Sequence, residues 1–174
     1  MLDTATANYS YGNLHTVMKA AITEVLKSKD SLDTALILGF GGGDASQIIH
    51  KYNPNTRIVG VEVDPQVIDI YNQYYKKRPV ILVQSEVRKF LEHEIALYDL
   101  IICDIFVSLE KPTFTQSEMY YKSIKDRLEK DGVFAQNIML ESGSIKDQFV
   151  TFKQIFPDAR SSKVLEKNYL FFSS

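Results

Sequence analysis

A chain of 174 residues, 45% apolar and 24% charged, can build one domain with a core of its own. A formal net charge of −2 gives no long-range attraction to nucleic acid or an anionic membrane, and no apolar run approaches the roughly 18 residues of a membrane span. The single cysteine, Cys103, excludes an internal disulfide framework and a cysteine-rich zinc site. No secretory leader opens the sequence, so the expectation is a cytoplasmic protein.

Residues 1–12 show no periodicity and read as an irregular or strand-like lead-in. Leu14, Met18, Ala21, Ile22, Val25 and Leu26 then fall at helical spacing, which completes a lead-in of residues 1–30. The apolar run Ala35 to Leu38 lacks alternation and suggests a strand buried on both faces. Four glycines follow in Gly39-Phe40-Gly41-Gly42-Gly43-Asp44, where backbone N–H groups can approach a ligand without Cβ atoms in the way. A helix opens there, carrying Ile48, Ile49 and Tyr52 and stopping at Asn53-Pro54, and its N-terminus favours an electron-rich ligand. Arg57 to Glu62 is the next strand. Glu62 comes about 20 residues beyond the glycines, the separation at which a βαβ unit brings an acid to a ribose diol. This order of elements implies a nucleoside-cofactor site; the competing reading is an α/β turn merely tightened by glycine.

Asp64 before Pro65 reads as a helix N-cap, with Val67, Ile68, Tyr71, Tyr74 and Tyr75 as the buried stripe. Lys76-Lys77-Arg78 reads as a solvated loop. Val80 to Val83 is a third strand, and Glu86 opens a helix with Val87, Phe90 and Leu91 inward. Tyr98 to Cys103 is a fourth strand ending at Asp104, with Cys103 a buried hydrophobe. Thr115 to Glu118 has capping-box spacing, and the helix it opens, carrying Tyr120, Tyr121, Ile124 and Leu128, is expected to stop at Asp131-Gly132. Val133 to Ile138 is the fifth strand. Ser144 is read as the cap of a last helix carrying Ile145, Phe149, Phe152 and Phe156. Arg160 to Leu165 and Tyr169 to Phe172 close the chain as two strands whose short link forces antiparallel pairing. The expected fold is α/β: residues 1–174 as one domain on a doubly wound, mostly parallel seven-stranded sheet ending in an antiparallel hairpin. His15, His50 and His93 fall on separate helices without metal-ligand spacing, so no metal is expected.

With these residues in hand, the chain resembles the class I S-adenosylmethionine-dependent methyltransferase superfamily, and within it the spermidine synthase-like branch. The match runs through Leu36 to Asp44, Val61 to Pro65, Glu86 to Leu91, Tyr98 to Asp104, and Asp131 to Phe134. The resemblance implies a Rossmann-like transferase that uses S-adenosylmethionine or its decarboxylated form, a small-molecule acceptor and a possible homodimer. The cofactor-binding residues it implies are Gly39, Phe40, Gly41, Gly43, Asp44, Glu62, Val63, Glu86, Val87 and Asp104. The glycine loop would receive the amino-acid end of the cofactor. Glu62 would accept from the ribose hydroxyls, and Glu86 and Val87 would meet the adenine edge. A Gly39-x-Gly41-x-Gly43 register fits the methyltransferase pattern.

Asp104 is the implied catalytic residue, orienting or deprotonating an acceptor; the other reading is that it caps a loop or holds the methionine ammonium. Asp104 is followed by Ile105-Phe106-Val107-Ser108, without the second acid that a polyamine site carries. The segment Tyr9 to Asn13 matches the synthases' tyrosine-containing entry segment only loosely. Methyl transfer is therefore the first expectation, polyamine aminopropyl transfer the second, and a non-catalytic cofactor-binding module the third. A nicotinamide dehydrogenase ranks last, because Asp44 stands where a Gly-x-Gly-x-x-Gly loop needs its third glycine.

Overall fold

The structure, a computed structural model, describes residues 2–3, 8–10, 13–27, 29–106, 112–139 and 145–173. Two short strands, β1 (Leu2–Asp3) and β2 (Asn8–Ser10), pair antiparallel apart from the main sheet. Helix α1 (Asn13–Leu26) follows, then β3 (Thr34–Leu38), α2 (Asp44–Tyr52) and β4 (Arg57–Glu62). Next come α3 (Pro65–Ile70) with a π turn at Tyr71–Tyr75, β5 (Ile81–Gln84), α4 (Val87–His93) and β6 (Tyr98–Cys103). The remainder is α5 (Glu118–Lys125), β7 (Leu128–Met139), α6 (Ile145–Ile155), β8 (Arg160–Lys163) and β9 (Asn168–Phe172).

The main sheet has seven strands in the order β5-β4-β3-β6-β7-β9-β8. Strands β3 to β7 are parallel, and β9 enters antiparallel between β7 and β8. The chain first winds outward from β3 to β5, then returns to the centre at β6. The strand order thus reverses between β3 and β6, the place where open α/β sheets form their ligand crevice. Side chains alternate between two cores. Ile37, Leu100, Ala135 and Phe172 pack under α1 and α2, whereas Leu36, Ile101, Phe134 and Phe171 pack under α4, α5 and α6. No helix among the described residues is long and apolar enough to cross a membrane.

Three local expectations are corrected. Tyr74 is exposed at 68%, while Tyr71 is buried and Tyr75 half-buried. The cause is the π turn, closed by the Lys76 N–H on the Tyr71 carbonyl; its wider coil carries Tyr74 off the inward stripe. The α5 N-cap is Ser117, which accepts from Tyr120 N–H at 3.2 Å. Thr115 cannot serve, because its hydroxyl donates to the Pro112 carbonyl at 2.7 Å inside a preceding 3₁₀ turn. Helix α5 also stops at Lys125, well before Asp131-Gly132. That dipeptide sits in the irregular entry to β7, where Tyr98 pairs with Leu128 but Leu100 with Val133. A Cβ at Gly132 would lie 2.7 Å from the Tyr98 carbonyl oxygen, so the extra residues fold against β6 only with glycine there. The cap assigned to Ser144 lies outside the described residues.

The fold is pinned below the sheet by Asp99 at the start of β6. Its carboxylate accepts from the Asp33 and Thr34 N–H groups, both at 3.0 Å, and from the Thr34 hydroxyl and Lys29. Burial pushes this carboxyl up, yet the Thr34 hydrogen bonds and the Lys29 ammonium hold it below the ordinary carboxylate value. A lowered folded-state value means the stabilisation is complete above about pH 4 and is lost as acidification passes through that value. Asp99→Ala is therefore expected to cost about 1–3 kcal/mol at pH 7. In urea titrations the gap from wild type should close as acidification passes through the lowered folded-state value.

Candidate functional site

The floor of the crevice is made where β3 and β6 end side by side. Asp104 N–H donates to the Leu38 carbonyl at 2.9 Å, and Gly39 and Phe40 N–H both donate to Val61 O on β4. The chain must turn sharply here, and Gly39 does so with φ 82°. Gly41 and Gly43 are also left-handed, with φ 54° and 79°, whereas Gly42 is not among the positive-φ glycines. The alternate-glycine register is therefore the one the backbone uses. Gly43 does not line the crevice. Its α-carbon faces inward, where a Cβ would lie 2.4 Å from the Tyr71 ring.

The resulting crevice has a volume of about 910 Å³, within the range that encloses a small cofactor. Gly39, Phe40, Gly41, Asp44, Glu62, Val63, Glu86, Val87 and Asp104 all border it, so the fold gathers every residue of the expected set except Gly43. Phe40 is mostly buried and packs edge-on against Tyr71, their centroids 4.8 Å apart, so its ring is as much core as wall.

Glu62 ends β4 and folds its carboxylate back over the loop. Oε2 accepts from Gly41 N–H at 2.8 Å, while Oε1 accepts from Val63 and Asp64 N–H at 2.9 and 3.1 Å. An ionised carboxylate offers about four acceptor positions. Three are used, so one further donor fits without loss, and a grip on two hydroxyls requires one backbone contact to yield. Asp64 caps α3 by accepting from Gln66 N–H at 2.8 Å, as its position before Pro65 predicts. Glu86 precedes α4, is exposed, and makes no side-chain cap; its carboxylate meets Lys89 at 3.0 Å. Val87 opens α4, where the N–H has no partner within the helix.

Asp104 is half-buried, and its Oδ1 accepts from Asn137 Nδ2 at 2.8 Å. Beyond it lie apolar groups, Ile105, Phe106, Pro112, Phe114 and Met139, joined by Leu165 to Asn168 from the β8–β9 turn. The part of the acceptor loop read as lacking a second acid, Val107 and Ser108, lies outside the described residues, as do Tyr11 and Gly12 of the entry segment.

Sequence reasoning missed three contacts. His15 on α1 meets both oxygens of Asp44, at 2.9 and 3.1 Å, so the first residue of α2 is held from outside the loop. Arg88 lies over the Phe114 ring, 5.0 Å from its centroid. Asn137 and Asn168 reach the crevice from β7 and β9. The other two histidines stand apart: His50 is buried against the Thr56 carbonyl, and His93 ends α4.

Comparison with known proteins gives the following. The profile of the spermine/spermidine synthase domain matches residues 16–170. A eEF1A lysine and N-terminal methyltransferase from Xenopus laevis is 25% identical over 149 residues, covering 77% of this chain and 21% of the relative. A probable polyamine aminopropyl transferase from Bifidobacterium longum is 29% identical over 122 residues, covering 68% of this chain and 27% of the relative. The chain thus spans about a quarter or less of the length of these relatives. Among solved structures, human methyltransferase-like protein 13 in complex with SAH superposes with a TM-score of 0.75 at 20% identity, covering 92% of this chain and 79% of that one. A probable spermidine synthase from Corynebacterium glutamicum gives 0.80 at 15% identity, covering 95% of this chain and 65% of that one. These likenesses establish the Rossmann-like methyltransferase fold.

Proposed function

Because the chain belongs to the spermine/spermidine synthase domain family, we propose that it is an S-adenosylmethionine-dependent transferase that moves a methyl group to an amine on a small acceptor. The observation that carries this reading is one crevice with Glu62 on the β4 side of the glycine loop and Asp104 on the β6 side. The donor set fits an adenosyl cofactor: a carboxylate with room for a hydroxyl, a loop with glycine at positions 39 and 41, and a helix N-terminus at Val87.

When bound, the cofactor supplies an electrophilic carbon on a sulfonium. The protein's share is to align that carbon with a nucleophile, an effect that can contribute about 7–11 kcal/mol when geometry is fixed. Gly39 and Gly41 let the backbone approach the amino-acid end. Glu62 would take a ribose hydroxyl, and Glu86 with the Val87 N–H would meet the adenine edge. Asp104 would accept the proton of the acceptor's ammonium, leaving a neutral amine whose lone pair is free to attack. The apolar wall of Ile105, Phe106 and Phe114 shields that reaction from water.

A second reading, aminopropyl transfer to a polyamine from the decarboxylated cofactor, is favoured by the Bifidobacterium relative. A protein lysine as acceptor is suggested by the Xenopus relative. Calorimetry with S-adenosylmethionine, its decarboxylated form, S-adenosylhomocysteine and NAD decides among the cofactors. We expect the carboxylated sulfonium and its product to bind and NAD to give no heat. Tightest binding by the decarboxylated form would move the assignment to aminopropyl transfer, and silence from all four would remove the cofactor site. In the same titrations Glu62→Ala should weaken binding about 10–100-fold, the worth of one hydrogen bond to a charged group. An affinity equal to wild type would leave Glu62 as a loop brace only.

A further inference from the structure

Three side chains on adjacent strands form a chain of hydrogen bonds that ends in the crevice. Asn168 Nδ2 on β9 donates to Asn137 Oδ1 on β7 at 3.1 Å, and Asn137 Nδ2 donates to Asp104 Oδ1 at 2.8 Å. Asn137 is 2% exposed, and all three residues border the crevice. The register makes the contact possible. Asn137 pairs with Leu170 and Met139 with Asn168, so the two amides are diagonal neighbours across an antiparallel pair, within reach of each other's side chains.

The direction of the chain follows from donor and acceptor capacity. An ionised carboxylate only accepts, so Asn137 must turn its NH₂ toward Asp104. Its carbonyl oxygen then faces β9, where a donor is required, and Asn168 supplies one. A buried amide in this place is costly unless both ends are satisfied. Here they are, with one end satisfied by the residue proposed to carry the chemistry. An apolar side chain at 137 would serve the sheet equally well but would leave Asp104 Oδ1 without this partner.

We infer that Asn137 is a positioning residue that holds the Asp104 carboxylate in place as an acceptor, and that Asn168, on the terminal hairpin, locks the Asn137 amide in the orientation that does so. The inference rests on the reading of Asp104 as the group that takes the acceptor's proton. It makes the closing hairpin part of the reaction machinery, although two strands, β6 and β7, separate it from β3 and the glycine loop.

The test is carboxyl-carbon NMR of the full chain with ¹³C-labelled aspartate, assigning Asp104 by Asp104→Asn and following its titration in wild type, Asn137→Ala and Asn168→Ala. Removing a donor to the charged form should move the Asp104 midpoint up by roughly one pH unit in Asn137→Ala. A smaller movement in the same direction is expected in Asn168→Ala. Tritiated methyl transfer from S-adenosylmethionine to a lysine-containing peptide and to putrescine supplies the second readout. The acid limb of the pH–rate profile should move with the carboxyl midpoint, and kcat should fall more than KM rises. An Asp104 midpoint equal to wild type in Asn137→Ala overturns the inference. Should that variant not fold, an unchanged midpoint in Asn168→Ala, at a half-buried position, overturns it alone. If wild type transfers nothing to either probe, the transferase reading fails, while the carboxyl titration still decides the relay.

Discussion

Asp104→Asn is expected to lower the rate of methyl transfer about 10²–10⁴-fold, the usual worth of a positioned proton acceptor, while cofactor affinity stays within about threefold of wild type. The asymmetry follows from the geometry. The backbone of Asp104 is held by its N–H on Leu38 O, and an asparagine oxygen can still accept from Asn137 Nδ2. Shape and the hydrogen bond from Asn137 survive, and the capacity to take a proton does not. Loss in kcat with little change in KM marks an interaction made in the transition state. Tritium transfer to the amine probes, set beside calorimetry on the same protein, separates the outcomes. Full activity in the variant would return Asp104 to the role of loop cap or ammonium partner. No turnover in either protein, with cofactor bound normally, would favour a binding module without chemistry.

Gly39→Ala is expected to be strongly destabilising. The residue sits at φ 82°, and a Cβ there would lie 2.4 Å from the Asp104 carbonyl oxygen and 3.2 Å from Ile105 Cα. A left-handed backbone alone costs an alanine about 1–3 kcal/mol. The overlap adds to this, because its partner is the main chain of the neighbouring strand end and cannot swing aside. A total of at least about 3 kcal/mol is a large share of the 5–15 kcal/mol typical of a domain. In a chain of this size it should lower Tm by about 6–12 °C or more. Relieving the clash would push Asp104 away from the loop, so residual folded protein should also bind cofactor less well. Gly42→Ala is the control, since Gly42 carries no left-handed strain. A Gly39→Ala melting point within about 2 °C of wild type would refute the account.

Much of this site is local in sequence, which is why it was legible there. The glycine loop, Glu62, Asp64, the Glu86-Val87 pair and Asp104 each lie at or within three residues of a strand end. Apolar runs such as Ala35 to Leu38 and Tyr98 to Cys103 announce those strands. Alternate strand faces then explain the two cores with no further information. What stayed hidden depends on register between strands far apart in the chain. Nothing near Asn137 says that β9 rather than β8 will lie beside it, yet that insertion decides which side chain reaches its amide. The His15–Asp44 contact likewise needs α1 and α2 to be packed together first. Tyr74 leaves the inward stripe because one π turn breaks the 3.6-residue phase of the helix. Asp131-Gly132 has the composition of a helix stop, but tertiary pairing with β6 gives that glycine another use.

The turn joining β8 to β9 brings Leu165, Glu166 and Lys167 to the rim of the crevice on the side away from Glu62. One half of the cleft is therefore built from the opening strands of the sheet and the other is finished by a short hook near residue 166. Changes in the length or charge of that hook would therefore alter one half of the cleft and leave the glycine-loop half untouched.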